Sequence, residues 1–266
     1  MDTLQQALRG AQHQPPVQPP VQLHALQRLQ PLQPLQPLLV LGGGGTLGSA
    51  VLAEALVAGR FLRVQALVSE PVASTVRRFE PLQMQALQAA AGGHMPAAVI
   101  VFERQRHSNG RDDAFVQPEP ADLLHLARLL HRRGVQRLLV VVPHAPALLP
   151  QALSHGLASL DEAAVAALGF THLVILRASQ AARGPSGGSR LQRFAHWWLS
   201  QLSWMVPQRQ QPVRALVLAR CVVQLARLLP ALPAGTRIIS PETLWHWAQH
   251  DDGLEAELFR QLGGPP

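Results

Sequence analysis

A run of four glycines, Gly42 to Gly45, constrains this chain more than any other feature. The apolar segment Leu38–Leu41 precedes the run, and an amphipathic segment from Thr46 to Ala58 follows it. This order predicts a buried strand, a tight turn and a helix, because glycine tolerates positive φ and close backbone approach. Such a turn exposes amide N–H groups at the positive end of a helix, where phosphate groups are stabilised. The sequence therefore predicts a dinucleotide site at this turn.

The glycines fit two spacing patterns. Gly43, Gly45 and Gly48 match the general dinucleotide pattern, with one residue and then two residues between glycines. Gly42, Gly45 and Gly48 match a variant with two residues in each gap. In both patterns Gly45 lets the phosphates approach and Gly48 lets the helix pack closely on the sheet. The predicted cofactor-binding residues of the loop are Gly42, Gly45, Thr46, Leu47 and Gly48.

The ribose of a dinucleotide is normally bound at the end of the second strand, about 20 residues after the glycines. That position holds Ser69 and Glu70, which we predict to be the ribose-binding residues. Glu70 suits the hydroxyl groups of NAD, whereas Ser69 with Arg77 or Arg78 suits the 2′-phosphate of NADP. Both alternatives stay open, and the predicted cofactor is NAD or NADP.

Beyond the glycines, apolar strands alternate with amphipathic helices. Further strands are predicted at Val64–Val68, Gln83–Leu87, Ala97–Phe102, Leu138–Val142 and His172–Leu176. Helices are predicted at Pro71–Phe79, Pro120–Arg133 and Leu157–Leu168. This alternation is typical of a parallel sheet with right-handed crossovers. The predicted fold class is α/β, a doubly wound, Rossmann-like parallel sheet.

The alternation breaks down in the last third of the chain. The predicted elements there are a Trp-rich helix from Arg190 to Met205, a helix over Pro212–Leu229, a strand over Arg237–Ser240 and a helix over Pro241–Leu262. We expect a small helical C-terminal region that covers the substrate crevice as a lid. The Trp-rich helix is interpreted either as core packing or as a surface for a protein partner or self-association.

The first 36 residues are rich in Gln, Pro and Leu, and proline recurs at every third position from Pro31 to Pro37. Proline at this spacing blocks a helix and disfavours a central strand. Residues 1–36 are therefore predicted to form a disordered tail, and residues 37–266 the nucleotide-binding domain.

Composition narrows the possible partners. All 23 basic residues are arginine and there are 16 acidic residues, which gives a formal charge of +7. The arginines are scattered and no recognition motif accompanies them, so we expect no nucleic-acid binding.

The single Cys221 excludes an intramolecular disulfide, and no His or Cys spacing predicts a metal site. With no signal segment and no apolar run of about 18 residues, we expect a cytoplasmic protein that does not enter a membrane.

Between Leu38 and Trp245 the chain resembles the atypical short-chain dehydrogenases/reductases of the NmrA-like, NAD(P)-binding type. The specific motif is Val40-Leu41-Gly42-x-x-Gly45-x-x-Gly48, and less specific strand and helix edges follow it in matching order. These edges are Val64–Val68, Gly134–Val141, Gly169–Arg177 and Arg237–Ser240. The resemblance implies a Rossmann-like domain that binds a dinucleotide.

The chain departs from that superfamily at the catalytic residues. The usual set is a Ser after the fifth strand, then a Tyr and a Lys four residues apart on the next helix, with the Tyr moving the proton. Here the fifth strand ends in Val142-Pro143, and the Tyr and Lys positions fall near Ser154 and Ala158. The chain contains neither Tyr nor Lys, so a phenol is excluded as the proton donor.

Two kinds of function follow from this departure. The first is a nucleotide-binding regulatory or weakly catalytic protein. The second is an NAD(P)H-dependent oxidoreductase, with a quinone-like acceptor, that works without a tyrosine. His155 is the candidate catalytic residue, and His144 is a second, weaker candidate.

Two other polar segments have non-catalytic interpretations. Glu103–Asn109 is interpreted as an anion-binding or solvated loop, and Asp161-Glu162 as a complement of the helix dipole.

Overall fold

The computed structural model describes residues 35–89, 95–103, 112–144, 160–179, 213–249 and 253–263. The strands in these ranges are β1 (Gln36–Leu41), β2 (Phe61–Val68), β3 (Phe79–Gln83), β4 (Ala97–Val101), β5 (Arg137–His144), β6 (His172–Ser179) and β7 (Gly235–Ile239). The helices are α1 (Gly45–Val57), α2 (Met84–Gln88), α3 (Leu123–Arg132), α4 (Leu160–Ala166), α5 (Ala215–Leu228), α6 (Pro241–Ala248) and α7 (Leu254–Gln261). The predicted tail up to Pro34 lies outside the described residues.

Across the described ranges the strands form one seven-stranded sheet in the order β3-β2-β1-β4-β5-β6-β7. Every pairing between neighbouring strands is parallel. The chain runs outwards from β1 to β3, then returns to the other side of β1 with β4. The predicted α/β class and doubly wound parallel sheet are confirmed. Ligands of such sheets bind where the order reverses, which here is the crevice between β1 and β4.

Side chains of the central strands alternate between two buried layers. In β1, Leu38 and Val40 point into one layer, and Leu39 and Leu41 into the other. All four are fully buried, as expected of a strand covered on both faces. Helices α1, α5, α6 and α7 supply the first layer, and α2, α3 and α4 supply the second.

The region between β2 and β4 differs from the sequence-based expectation. The predicted helix over Pro71–Phe79 is wrong, because residues 71–78 are irregular. The third strand is Phe79–Gln83 rather than Gln83–Leu87, and Met84–Gln88 is helical. Pro81 is tolerated in β3 because this strand lies at the edge of the sheet and pairs only with β2.

The C-terminal region also differs in part. The single predicted helix Pro241–Leu262 is wrong: α6 ends at Ala248 and α7 begins at Leu254, after Gly253. Helices α5 and α6 pack on the sheet, and α7 packs on these two helices, through buried residues such as Val222, Trp247 and Leu258. The predicted Trp-rich helix lies outside the described residues.

Candidate functional site

The glycine loop connects β1 to α1 at the carboxyl edge of the sheet. Gly42 and Gly45 have φ values of +79° and +72°, a region that side chains rarely adopt. A Cβ on Gly42 would lie 2.2 Å from the carbonyl oxygen of Val101 in β4, and a Cβ on Gly48 would lie 1.8 Å from the carbonyl oxygen of Gly42. The missing side chains therefore let α1 start directly against the ends of β1 and β4.

The N-terminus of α1 is bound by an anion from another part of the chain. The backbone N–H of Leu47 donates a hydrogen bond of 2.9 Å to Oε2 of Glu103. Glu103 follows β4, and its Oε2 lies 2.5 Å from where a Cβ of Gly45 would stand. Helix α1 has no acidic residue in its first turn, and Gly44 supplies no side-chain cap. Glu103 therefore provides the negative charge that this helix start favours.

The connection from β4 to α3 also covers the end of β2. The backbone N–H of Ser69 donates to the carbonyl oxygen of Ala114 at 2.9 Å, and its hydroxyl donates to the carbonyl oxygen of Asp113 at 2.7 Å. An antiparallel bridge joins Val68 to Phe115. The predicted ribose-binding Ser69 is thus hydrogen-bonded to the protein itself, whereas the neighbouring Glu70 is exposed.

The same connection packs on the first glycines of the loop. A Cβ on Gly43 would lie 3.1 Å from Cδ1 of Phe115, and a Cβ on Gly42 would lie 3.2 Å from Cδ of Pro118. Glycines at these positions therefore make room for protein side chains as well as for any ligand. Glu103 lies against Gly45 and Phe115 lies against Gly43, so both ends of the loop contact side chains from the segment after β4.

The candidate catalytic groups are only partly described. His155 and residues 104–109 lie outside the described residues. His144 is the last residue of β5, and the register pairs it with Ser179 of β6. Within the described ranges, no group of three or more His, Cys, Asp or Glu side chains is placed to hold a metal ion.

A buried ion pair fixes α4 against β6. Nη2 of Arg177 lies 2.9 Å from Oε2 of Glu162, and the two side chains are 3% and 8% exposed. The sequence analysis placed Glu162 at a helix start but did not join it to Arg177. Helix α4 follows β5, which pairs with β6, so the charged Arg177 near the carboxyl end of the apolar strand β6 was the available signal.

A basic cluster lies at the opposite, amino edge of the sheet. Nε2 of His172 is 3.0 Å from the carbonyl oxygen of Leu232, and the ring is buried. Burial lowers the pKa of His172, and the nearby Arg237 and Arg137 lower this pKa further, although the bond to Leu232 acts in the other direction. Burial also lowers the pKa of both arginines. His172 is therefore a neutral, structural group at neutral pH.

In the glycine loop the amide of Leu47 binds an anion that belongs to the chain itself, the carboxylate of Glu103. Thr46, at the first turn of α1, is exposed on the surface.

In the part of the chain that the structure describes, no helix is both long and apolar enough to cross a bilayer.

Comparison with known proteins gives similarity at the level of architecture. No protein-family model matches the chain, and no curated protein matches it. The chain is similar to the solved structure of WbmH from Bordetella bronchiseptica in complex with NAD+, at 13% identity over 80% of each chain and a TM-score of 0.46. It is similar to a short chain dehydrogenase from Leptospira borgpetersenii with bound NAD+, at 12% identity over 79% of this chain and 93% of that one, with a TM-score of 0.45.

A third similar structure is the UDP-N-acetylglucosamine 4-epimerase from Bacillus cereus. It is 14% identical over 86% of this chain and 92% of that one, with a TM-score of 0.42. Identities and TM-scores at this level say nothing about substrate or reaction. The assignment of the doubly wound fold rests on the strand order and the parallel pairing instead.

Proposed function

We propose that this protein binds NAD in the crevice between β1 and β4 and acts as a regulatory or weakly catalytic protein of the atypical short-chain dehydrogenase type. The observation that carries the proposal is the hydrogen bond from the Leu47 amide to a carboxylate. A carboxylate at the start of α1 supports the proposal that this helix start binds the negative charge of a diphosphate. The diphosphate would be held by the amides of Thr46 and Leu47, with the glycines permitting its approach.

The ribose subsite favours NAD over NADP. Glu70 is exposed at the end of β2, where a carboxylate accepts hydrogen bonds from ribose hydroxyls and repels a 2′-phosphate. Of the three groups that suit NADP, Arg77 is exposed and the other two are engaged elsewhere. The hydroxyl of Ser69 donates to Asp113, and Nη1 of Arg78 donates to the carbonyl oxygen of Gly59 at 3.0 Å.

The regulatory role is supported by the missing proton donor. The full sequence contains no tyrosine and no lysine, so the usual phenol and its supporting ammonium are absent. A bound nicotinamide would supply hydride chemistry, and the chain has no phenol to donate the accompanying proton. The cytoplasmic location and a protein partner at the Trp-rich helix stay predictions.

The test is a titration of the purified protein with NADH and NADPH, followed by nucleotide fluorescence. We expect binding of NADH, weaker binding of NADPH, and loss of both with Thr46→Glu, which adds a negative charge at the start of α1. Ala53→Glu is the matched control, because Ala53 is exposed on the same helix about two turns away. Equal loss with both variants, or no binding by the wild type, would contradict the proposal.

A second measurement separates regulation from catalysis. Bound NADH is mixed with quinone-like acceptors, and its oxidation is followed by absorbance. We expect at most slow turnover, close to the rate of the background reaction. Acceptor-dependent oxidation that His155→Ala abolishes would overturn the regulatory assignment and favour an oxidoreductase.

A further inference from the structure

We propose that Glu103 is an internal competitor for the diphosphate site, so that NAD binds only when this carboxylate leaves the start of α1. The inference rests on the proposed function, because it concerns the occupancy of that same site. It adds a regulatory contact that neither the glycine motif nor the fold assigns.

The competition follows from geometry. The Leu47 amide has one hydrogen, and Oε2 of Glu103 accepts it at 2.9 Å. A phosphate oxygen bound to that amide needs a similar distance of about 2.9 Å along the same direction. The two oxygens would then occupy the same volume. The carboxylate also lies 2.5 Å from the Cβ position of Gly45, directly over the part of the loop that a diphosphate approaches.

Charge adds to this steric exclusion. Within the residues that the structure describes, Glu103 makes no ion pair, so its charge is balanced there by the amide and the positive end of α1. A diphosphate brings further negative charge to the same place, and like charges at such separations repel. Glu103 therefore opposes the ligand by repulsion even after its side chain has turned away.

The exchange needs no rearrangement of the sheet. Glu103 is half-buried, and its side chain has three rotatable bonds. Rotation about these bonds moves the carboxylate off the amide while β4 stays in place. A ligand can therefore displace the carboxylate of Glu103 from the Leu47 amide, at the cost of one charge-assisted hydrogen bond.

The experiment compares NADH affinity in the wild type, Glu103→Gln and Glu103→Ala. Glutamine keeps an oxygen that can accept the Leu47 hydrogen but removes the charge, and alanine removes the competitor. Since a charged hydrogen bond is stronger than a neutral one by roughly a tenfold change in affinity, we expect NADH to bind about tenfold more tightly to Glu103→Gln. We expect a larger gain with Glu103→Ala. Glu54→Gln is the matched control, because it removes the same charge about 10 Å along α1 from Leu47.

A spectroscopic measurement reports the contact itself. In wild-type protein the amide resonance of Leu47 is expected to shift when NADH is added, and to differ in free Glu103→Gln because its hydrogen-bond acceptor has changed. An unchanged Leu47 resonance in the presence of bound NADH would overturn the inference.

The outcomes separate the inference from the proposed function. Equal NADH affinity in the wild type and both Glu103 variants would overturn the competitor role and leave NAD binding intact. Absence of NADH and NADPH binding in all three proteins would overturn the proposed function and the inference with it. Tighter binding in the Glu103 variants alone, with Glu54→Gln unchanged, supports both.

Discussion

The buried ion pair between Glu162 and Arg177 makes a strong prediction about stability. The two charged atoms are 2.9 Å apart and the side chains are 3% and 8% exposed, so water screens them little. Glu162→Ala leaves the guanidinium of Arg177 buried without its carboxylate. Breaking a pair of this kind costs about 3–5 kcal/mol of unfolding free energy, because the remaining charge stays out of water.

The chain contains a matched control for this prediction. Arg227 and Glu255 form the same type of pair, but their side chains are 26% and 46% exposed. An exposed pair contributes about 0–1 kcal/mol, so Glu255→Ala should change the unfolding free energy by no more than that. Urea unfolding followed by circular dichroism measures both variants. If Glu162→Ala loses no more stability than Glu255→Ala, the argument from burial is wrong.

A double variant refines this test. Glu162→Leu with Arg177→Met removes both charges and keeps apolar volume at the site. Replacing both members of a buried pair is often close to neutral, so the double variant should be more stable than Glu162→Ala. The same urea assay checks this order, and a double variant that is less stable than Glu162→Ala would show that the buried guanidinium is not what destabilises Glu162→Ala.

Three further predictions concern other parts of the fold. Gly48→Ala should lower the unfolding free energy by about 1–3 kcal/mol, because its Cβ would meet the backbone oxygen of Gly42 at 1.8 Å; an unchanged urea midpoint would contradict this. Ser240→Ala should cost about 1 kcal/mol in the same assay, because the Ser240 hydroxyl caps α6 by accepting the Thr243 N–H. Because burial lowers the pKa of His172 in the folded state, the unfolded state takes up its proton first as the pH falls below about 6.5. Stability should therefore be full above that pH and decline below it, whereas His172→Asn should show a smaller decline between pH 7.5 and 5.5.

Much of the architecture could be predicted from local sequence. The apolar runs of β1, β4, β5 and β6 and the glycines that follow β1 specify a buried parallel sheet with helices on both faces. The edge strand β3 was misplaced because Glu80, Pro81 and Gln83 interrupt its apolar residues, which weakens the apolar signal. The helix predicted over Pro71–Phe79 has apolar residues at helical spacing, but two of them, Val72 and Val76, are exposed in the structure, so no burial stabilises a helix there.

The occupants of the site could not be predicted in the same way. Glu103 and Leu47 are 56 positions apart, and only the strand order places the end of β4 beside the start of α1. The Val68–Phe115 bridge also joins distant segments, with no motif to mark it. The glycine pattern located the loop, but the side chains that lie on it are a property of the tertiary fold.

The dependence of α1 on Glu103 has a consequence for how the chain is made. A ribosome releases β1, α1 and β2 well before β4, and the carboxylate that caps α1 emerges 56 residues after its amide partner. At about 5–20 residues per second, this delay is roughly 3–11 s. During that interval β1 has one neighbour instead of two and the nascent helix start is uncapped. The first β-α-β unit therefore gains its full stability only when the second half of the sheet arrives.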